Sequence, residues 1–365
     1  MSAMKPAQIA KLRLISQRVH DRDAVSPLEL GKRMGAIQAQ DYASSLWAIG
    51  ARVKGATEKS VEDAVVKREI VRSWPMRRTL HFVPAADAKW MVELSAERVI
   101  ASAATRARQL ELDDKIFAKA AKVATKALEG GRQVTRDRLR DLFIKAGLPA
   151  QDSRASHLFW RLAQERLICF GAREGKQPTF VLLDEWVEAP NRPEREEAIS
   201  ILVERYFTSH GPATVKDFVW WAGLKASETK AALKGLGDQL EKVELDGVEH
   251  WMSPDTPKRE AVCGAHLLPG FDEIVISYQD RLVTLAKEHA ERIVPGGNGM
   301  FLPMVMDEGQ VTGTWKRTLK AKSATVTIQP FRKLSKAKIA AIAKAAKIYG
   351  EFLNLPVVCE FQEVP

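Results

Sequence analysis

Helix, turn, helix and two strands recur in that order in the middle of the chain, and this repeat restricts the possible folds more than any other feature. In the first copy Thr135 suits a helix cap, Leu139, Leu142, Phe143 and Ala146 recur at offsets of three and four, and Gly147 supplies a stop. After Pro149, Ser153 opens a second helix in which Ala155, Leu158, Phe159 and Leu162 repeat that spacing. Its opposite face presents Arg154, His157, Arg161 and Gln164, and two strand-like runs, 167–170 and 179–183, follow around a turn. This is the order of a winged helix, in which the second helix reads the major groove of DNA and the hairpin lies on phosphates.

In the second copy Thr214 stands where Thr135 stood, Phe218, Val219 and Ala222 face inward before Gly223, and Ser227 begins a helix with Thr229, Ala232, Leu233 and Leu236 at core spacing. Strands 239–245 and 248–252 are joined by Asp246-Gly247, a strong two-residue hairpin signal. The acids Glu241, Glu244 and Glu249 in this hairpin suit packing better than DNA contact. A third, less regular copy opens the chain: Ser26, Pro27 and Glu29 form a capping box, Ser60 and Asp63 begin a helix to about residue 68, and strands 70–74 and 77–83 would be its wing. An insertion, 35–57, separates its helices. From residue 258 the pattern changes to strands 265–278, 301–306, 310–317 and 323–328, then one helix, 335–352.

A chain of 365 residues exceeds a single core. The expected fold is mainly α with small β-wings, an α+β chain of tandem winged-helix units: unit 1 over 1–97 with the insertion, unit 2 over 98–190, unit 3 over 191–257, and a basic α+β module over 258–365.

Charge adds a partner. The chain carries 56 Lys and Arg against 46 Asp and Glu, and residues 316–347 hold ten basic residues and no acid, so the rest of the chain balances. A localised cationic module is the footprint of a polyanion, although a solvated lysine-rich helix also accounts for 336–347. No apolar run approaches the roughly 20 residues a bilayer requires, and residues 1–20 lack a secretion-signal core, so a cytoplasmic, nucleoid-associated monomer is expected. The three cysteines, Cys169, Cys263 and Cys359, lack CxxC spacing, which favours buried, inert thiols over a disulfide framework or zinc site.

Four segments carry a family resemblance: Gly35-Ala-Ile-Gln-Ala-Gln-Asp-Tyr42, Arg72-Ser-Trp-Pro-Met-Arg-Arg-Thr-Leu-His81, Leu267-Leu-Pro-Gly-Phe-Asp-Glu273 through Arg281, and Gly309-Gln-Val-Thr-Gly-Thr-Trp-Lys-Arg317. In that order they resemble the AlkZ-like winged-helix DNA glycosylases over nearly the whole chain. The resemblance implies three tandem winged-helix units forming a concave basic face for duplex DNA, and a Gln-x-Gln motif, here Gln38 and Gln40, that removes bulky alkylated purines and cross-links. One departure stands out: Arg78 occupies the position where the family pattern has glycine, which adds a charge at the wing tip.

The residue chemistry agrees with such a role. A glutamine does not titrate usefully and so cannot be a general base, but its carbonyl and N–H2 groups can orient a water. Gln38 and Gln40 share a face if extended, whereas on a helix they diverge by about 200°, so an extended or turn segment is required. Asp41 is the nearest carboxylate and a possible base, but capping a helix at 42–47 is its better role. His81 suits either a phosphate or lesion contact or a hydrogen-bonded place in a strand, with Arg77 and Arg78 beside it favouring phosphate. Asp272 and Glu273 read as an adjacent pair on opposite faces of a strand, and therefore as structural. The expected activity is hydrolysis of the N-glycosidic bond of cationic alkylpurines by Gln38 and Gln40. DNA contacts are expected at Arg77, Arg78, His81, Arg154, His157, Arg161, Lys316, Arg317 and Lys320, with no metal, no cofactor and no membrane. The competing readings are a non-catalytic transcriptional regulator and a protein-binding scaffold.

Overall fold

The computed structural model describes residues 4–258 and 264–364. It is a mixed α/β fold. By compactness the chain divides into two units, Met1–Val61 with Ile199–Pro365, and Glu62–Ala198.

The second unit contains the first repeat. Thr135 accepts a hydrogen bond from the Arg138 N–H and starts the helix Arg136–Lys145. The next helix, Ser153–Gln164, begins one residue earlier than a Ser153 cap would give: Asp152 holds the cap position with φ of 53° and makes no side-chain cap bond. Ala155, Leu158, Phe159 and Leu162 are all buried. Phe159 joins both helices to the wing, with its ring centroid 5.5 Å from Phe143 and 4.7 Å from Phe180. Within this unit the strands run in the order Thr79–Pro84, Ile70–Met76, Ile168–Phe170, Thr179–Leu182, Val134–Thr135. The two wings are one sheet, because Arg72 pairs with Phe170. Two helices that the sequence patterns left unassigned, Ala88–Gln109 and Asp114–Leu128, pack on the helix Ser153–Gln164.

In the first unit the second repeat holds closely. Thr214 and Asp217 form a capping box for the helix Val215–Ala222, and Gly223 ends it at φ of 68°. The following helix, Ala226–Leu236, is capped at Lys225 and not at Ser227, with Thr229, Leu233 and Leu236 buried. Asp246 and Gly247, at φ of 49° and 76°, turn the hairpin Glu241–Leu245/Val248–Met252 as a type I′ signal requires.

The carboxyl-terminal strands form a five-stranded sheet in the order Val357–Phe361, Ser323–Pro330, Gln310–Lys320, Met304–Asp307, Ala265–Leu268. The first of these carries Cys359, whose apolar stretch reads as a strand, and it runs parallel to its neighbour. The strand expected over 265–278 is short: it ends at Leu268, and Asp272 caps a helical turn, Glu273–Ile276. The helix Lys336–Leu353 covers the sheet and meets the amino-terminal helix Tyr42–Gly50 through Trp47, whose ring lies 4.9 Å from Tyr349 and 5.1 Å from Phe352. A Cβ on Gly50 would lie 2.4 Å from the Phe352 ring, so the absence of a side chain permits this approach. Cys169 is fully buried and burial pushes its thiol up, as an inert thiol requires. Cys359 is only partly buried, a correction to the buried expectation, with its thiol pushed up to about 11 by burial. Cys263 lies outside the described residues.

Candidate functional site

Local signals fix the glutamine segment between two helices. The capping box of Ser26 and Glu29 starts Pro27–Met34, and Gly35, at φ of 76°, ends it in a conformation that favours glycine. Ile37–Gln38 is then extended, and Asp41 caps Tyr42–Gly50 by accepting the Ser44 N–H at 2.7 Å. The cap role of Asp41 is therefore the one realised. The strand stops at Gln38, so the alternation that would align the two glutamines does not continue: Gln38 is 7% exposed and Gln40 is exposed. The Oε1 of Gln38 accepts the Ala39 N–H at 3.0 Å, which leaves Nε2 as its donor end.

Behind this segment lies a carboxylate that the sequence patterns did not connect with it. The Gln38 N–H donates to Glu273 Oε1 at 2.7 Å, while Glu273 Oε2 accepts from Trp221 Nε1 at 3.1 Å and from the Ser277 hydroxyl. His210 Nε2 is 3.8 Å from the same oxygen, too long for a hydrogen bond but close enough to feel its charge. Burial lowers the His210 pKa, opposed by Glu273, so the imidazole is neutral at pH 7. Its ring stacks on Tyr206 at 4.7 Å.

Asp272, the next residue, serves a different partner. Its two oxygens take a bidentate pair from Arg52 at 2.8 and 2.9 Å, with both side chains fully buried. Arg52 also donates to Ala48 O and Gln17 Oε1, Gln17 donates to the Tyr278 hydroxyl, and that hydroxyl donates to His210 O at 2.7 Å. The two acids thus lie at the start of a helical turn and not on opposite faces of a strand. The structural reading of Asp272 stands. Glu273 fixes the backbone of the glutamine segment, and its signal in the sequence was only its place in the third resemblance segment.

The expected DNA contacts divide by environment. Arg77 and Arg78 form the two-residue tip of the hairpin, between Met76 and Thr79, and Arg78 is exposed with its guanidinium 5.2 Å from the Trp160 ring. His81 is buried, with Nδ1 3.0 Å from Thr79 O, so a direct phosphate contact would require the hairpin to open. On the helix Ser153–Gln164, Arg154 pairs with Glu111 at 3.1 Å, and Arg161 pairs with Glu165 and Asp114 while lying over Phe117. Both arginines are thus ion-paired, Arg161 with the neighbouring helix Asp114–Leu128 and Arg154 with the connection before it. His157 beside them is held below its ordinary pKa by partial burial, then by Arg106 and Arg78. In the carboxyl-terminal strand, Lys316 and Lys320 are exposed on one face, whereas Arg317 alternates to the other and donates to the Tyr349 hydroxyl. Among the described residues no helix is long and apolar enough to cross a membrane.

Comparison with known proteins identifies the family. The model of the DNA glycosylase AlkZ-like family matches residues 32–352. The chain is 24% identical to an interstrand DNA cross-link repair glycosylase of Streptomyces sahachiroi over 93% of this chain and 94% of that protein. The solved structure of the Streptomyces sahachiroi DNA glycosylase AlkZ shares its fold, with a TM-score of 0.79 at 22% identity, covering 98% of this chain and 100% of that one.

Proposed function

The chain belongs to the family of AlkZ-like DNA glycosylases, and from that premise we propose that it hydrolyses the N-glycosidic bond of cationic N3- and N7-alkylated purines in duplex DNA, bulky adducts and interstrand cross-links included. Membership makes the chain an enzyme and sets the regulator and scaffold readings aside. The cross-link part of the proposal draws on the described activity of the Streptomyces sahachiroi relative.

The observation that carries the substrate class is the lack of a proton donor offered at the glutamine segment. Asp41 accepts a backbone N–H as a helix cap, and Glu273 is 1% exposed with its oxygens turned to Gln38, Trp221 and Ser277. Neither is offered as a proton donor to a leaving base. A neutral purine departs as an anion and needs that proton, whereas an N7- or N3-alkylpurine carries its positive charge already. Catalysis then needs a positioned water and electrostatic support for the oxocarbenium-like sugar, which carboxamide dipoles supply; the base leaves neutral without being protonated, and the water that adds to the sugar gives up its proton to solvent. In this reading Gln38 Nε2 donates to the water, and Gln40 orients it from the exposed side. Arg78, Lys316 and Lys320 grip phosphates, with Arg77 beside them; Arg154, His157, Arg161, Arg317 and His81 contribute through packing.

The test is release of base from a duplex carrying one N7-alkylguanine, read as alkali-labile breaks. Wild type should release it, Gln38→Ala and Gln40→Ala should not while keeping most DNA affinity, and uracil and 8-oxoguanine should remain. Efficient uracil release dependent on both glutamines would overturn the leaving-group argument.

A further inference from the structure

A polar cavity in the first unit lies outside the glutamine segment. It encloses about 110 Å³ and is lined by Ser16, Arg18, Arg33, Thr208, Ser253 and Thr256, with Asp255 exposed at its edge. Four stretches of chain meet there: the end of the helix Pro6–Ser16, the last turn of Pro27–Met34, the helix Arg195–His210, and the residues after the strand Val248–Met252. Ser16, Ser253 and Thr256 are buried hydroxyls.

The two guanidiniums are incompletely satisfied. The Nε of Arg18 and the Nε of Arg33 are both buried without a hydrogen-bond partner among the described residues. Arg33 reaches the carbonyls of Ser16 and Thr208 only at 3.5 and 3.4 Å. Arg18 is held at φ of 59°, a conformation non-glycine residues seldom adopt, while its Nη1 pairs with Asp23 at 2.9 Å. Burial lowers the Arg33 pKa, and the positive charge of Arg18 adds to that effect, with Asp23 opposing it. Buried donors left open beside a like charge carry a cost that a bound anion would remove.

We propose that this cavity binds a phosphate group, through Arg18 and Arg33 as charge-assisted donors and the Ser16, Thr208, Ser253 and Thr256 hydroxyls as neutral ones. Its volume is about that of three or four waters at roughly 30 Å³ each, which suits one tetrahedral oxyanion, with any sugar it is joined to left outside. Arginine is the side chain best matched to such a group. Arg33 lies one residue before Met34, where the helix ends, and the chain then passes Gly35 into Ile37–Gln38. A phosphate held here therefore braces the same short stretch that carries Gln38. The phosphate is either a diester of the DNA backbone, which rests on the function proposed above, or a free phosphate, which does not.

Two measurements distinguish these sources. In the first, thermal unfolding of the full chain is followed in inorganic phosphate and in chloride at equal ionic strength, for wild type, Arg33→Gln and Arg18→Asn; asparagine tolerates the positive φ. General salt effects are common to all three, so the readout is the wild-type rise in excess of the variants, expected to be a few degrees at saturating phosphate. In the second, the salt dependence of binding to undamaged duplex is measured. Loss of about one unit of the log–log slope in both variants identifies a DNA diester. An unchanged slope together with a lost phosphate-specific rise identifies free phosphate. An exposed control, Arg132→Gln, should leave the phosphate-specific rise unchanged. Equal phosphate responses in wild type and both variants, with unchanged slopes, would overturn the assignment. Because the first measurement involves neither damaged DNA nor catalysis, its failure is distinct from failure of the glycosylase reading.

Discussion

Arg78 offers the sharpest test of the hairpin, because two substitutions separate its backbone from its charge. The tip residues Arg77 and Arg78 have φ of 50° and 63°, and a two-residue hairpin turn of this kind favours glycine or asparagine. Holding a residue with a Cβ there costs about 1 kcal/mol relative to glycine. Against that, Arg78 gains about 0.5–1 kcal/mol from its guanidinium over Trp160, at 5.2 Å. Arg78→Gly removes both terms and should leave stability within about 1 kcal/mol of wild type. Arg78→Ala removes the ring contact but keeps the strain, so it should be about 1 kcal/mol less stable than Arg78→Gly, or about 3 °C in Tm. Both variants lose one cationic contact, so each should lower the salt slope of duplex binding by about 0.9. Thermal unfolding and a salt series with undamaged duplex read the two effects independently. Equal stability of the Ala and Gly variants would refute the strain argument, and unchanged slopes in both would remove Arg78 from the phosphate contacts.

Glu273→Gln should slow base excision with duplex affinity retained, and should cost about 1–3 kcal/mol in denaturant unfolding, because its new N–H2 must oppose the N–H of Gln38 or of Trp221. Lys316→Ala and Lys320→Ala should each lower the salt slope by about 0.9, whereas Arg317→Ala, whose side chain bonds Tyr349, should chiefly lower Tm; equal slopes in all three would count against the alternation. Burial, with His20 and Arg22 adding, pushes the His266 pKa down to about 4. Its unfolded value near 6.5 means the unfolded chain binds more protons between those limits, so stability present above pH 6.5 should fall by about 3 kcal/mol as pH drops through the window, and His266→Gln should flatten that loss.

Features set by neighbours in sequence were legible. Thr135, Thr214, Asp41 and the Ser26–Glu29 box cap helices as their spacing indicates, and Asp246-Gly247 turns its hairpin, because each depends on a few adjacent residues. The buried faces of the repeat helices followed from periodicity alone. Long-range determinants were not legible. Ile274-Val275-Ile276 reads as a strand by its β-branched residues, yet the Asp272 cap and the buried pair with Arg52, far away in sequence, make it a helical turn. The ion pairs of Arg154 with Glu111 and of Arg161 with Asp114, and the packing of the helices Ala88–Gln109 and Asp114–Leu128 on Ser153–Gln164, had no local signal either. The clamp of Glu273 on Gln38 spans 235 positions, and no local pattern encodes such a separation.

That clamp also bears on why the proposed chemistry would use carboxamides at all. A site on duplex DNA works beside phosphates, and here it would receive a cationic base. A carboxylate in place of either glutamine would be repelled by the backbone, and an ammonium or guanidinium there would oppose the approach of the alkylpurine. Neutral dipoles avoid both penalties, but they act over short distances and must be held accurately. The fixed charges therefore do their work one layer back: Arg52 and Asp272 neutralise each other in full burial, and Glu273 spends its oxygens on the backbone of Gln38 and on the Trp221 and Ser277 side chains. Such a layer supplies rigidity while its charges stay buried. Substituting Glu273 by glutamine disturbs that rigidity and leaves the exposed dipoles chemically intact, so a loss of excision with retained DNA affinity would locate the catalytic requirement in positioning.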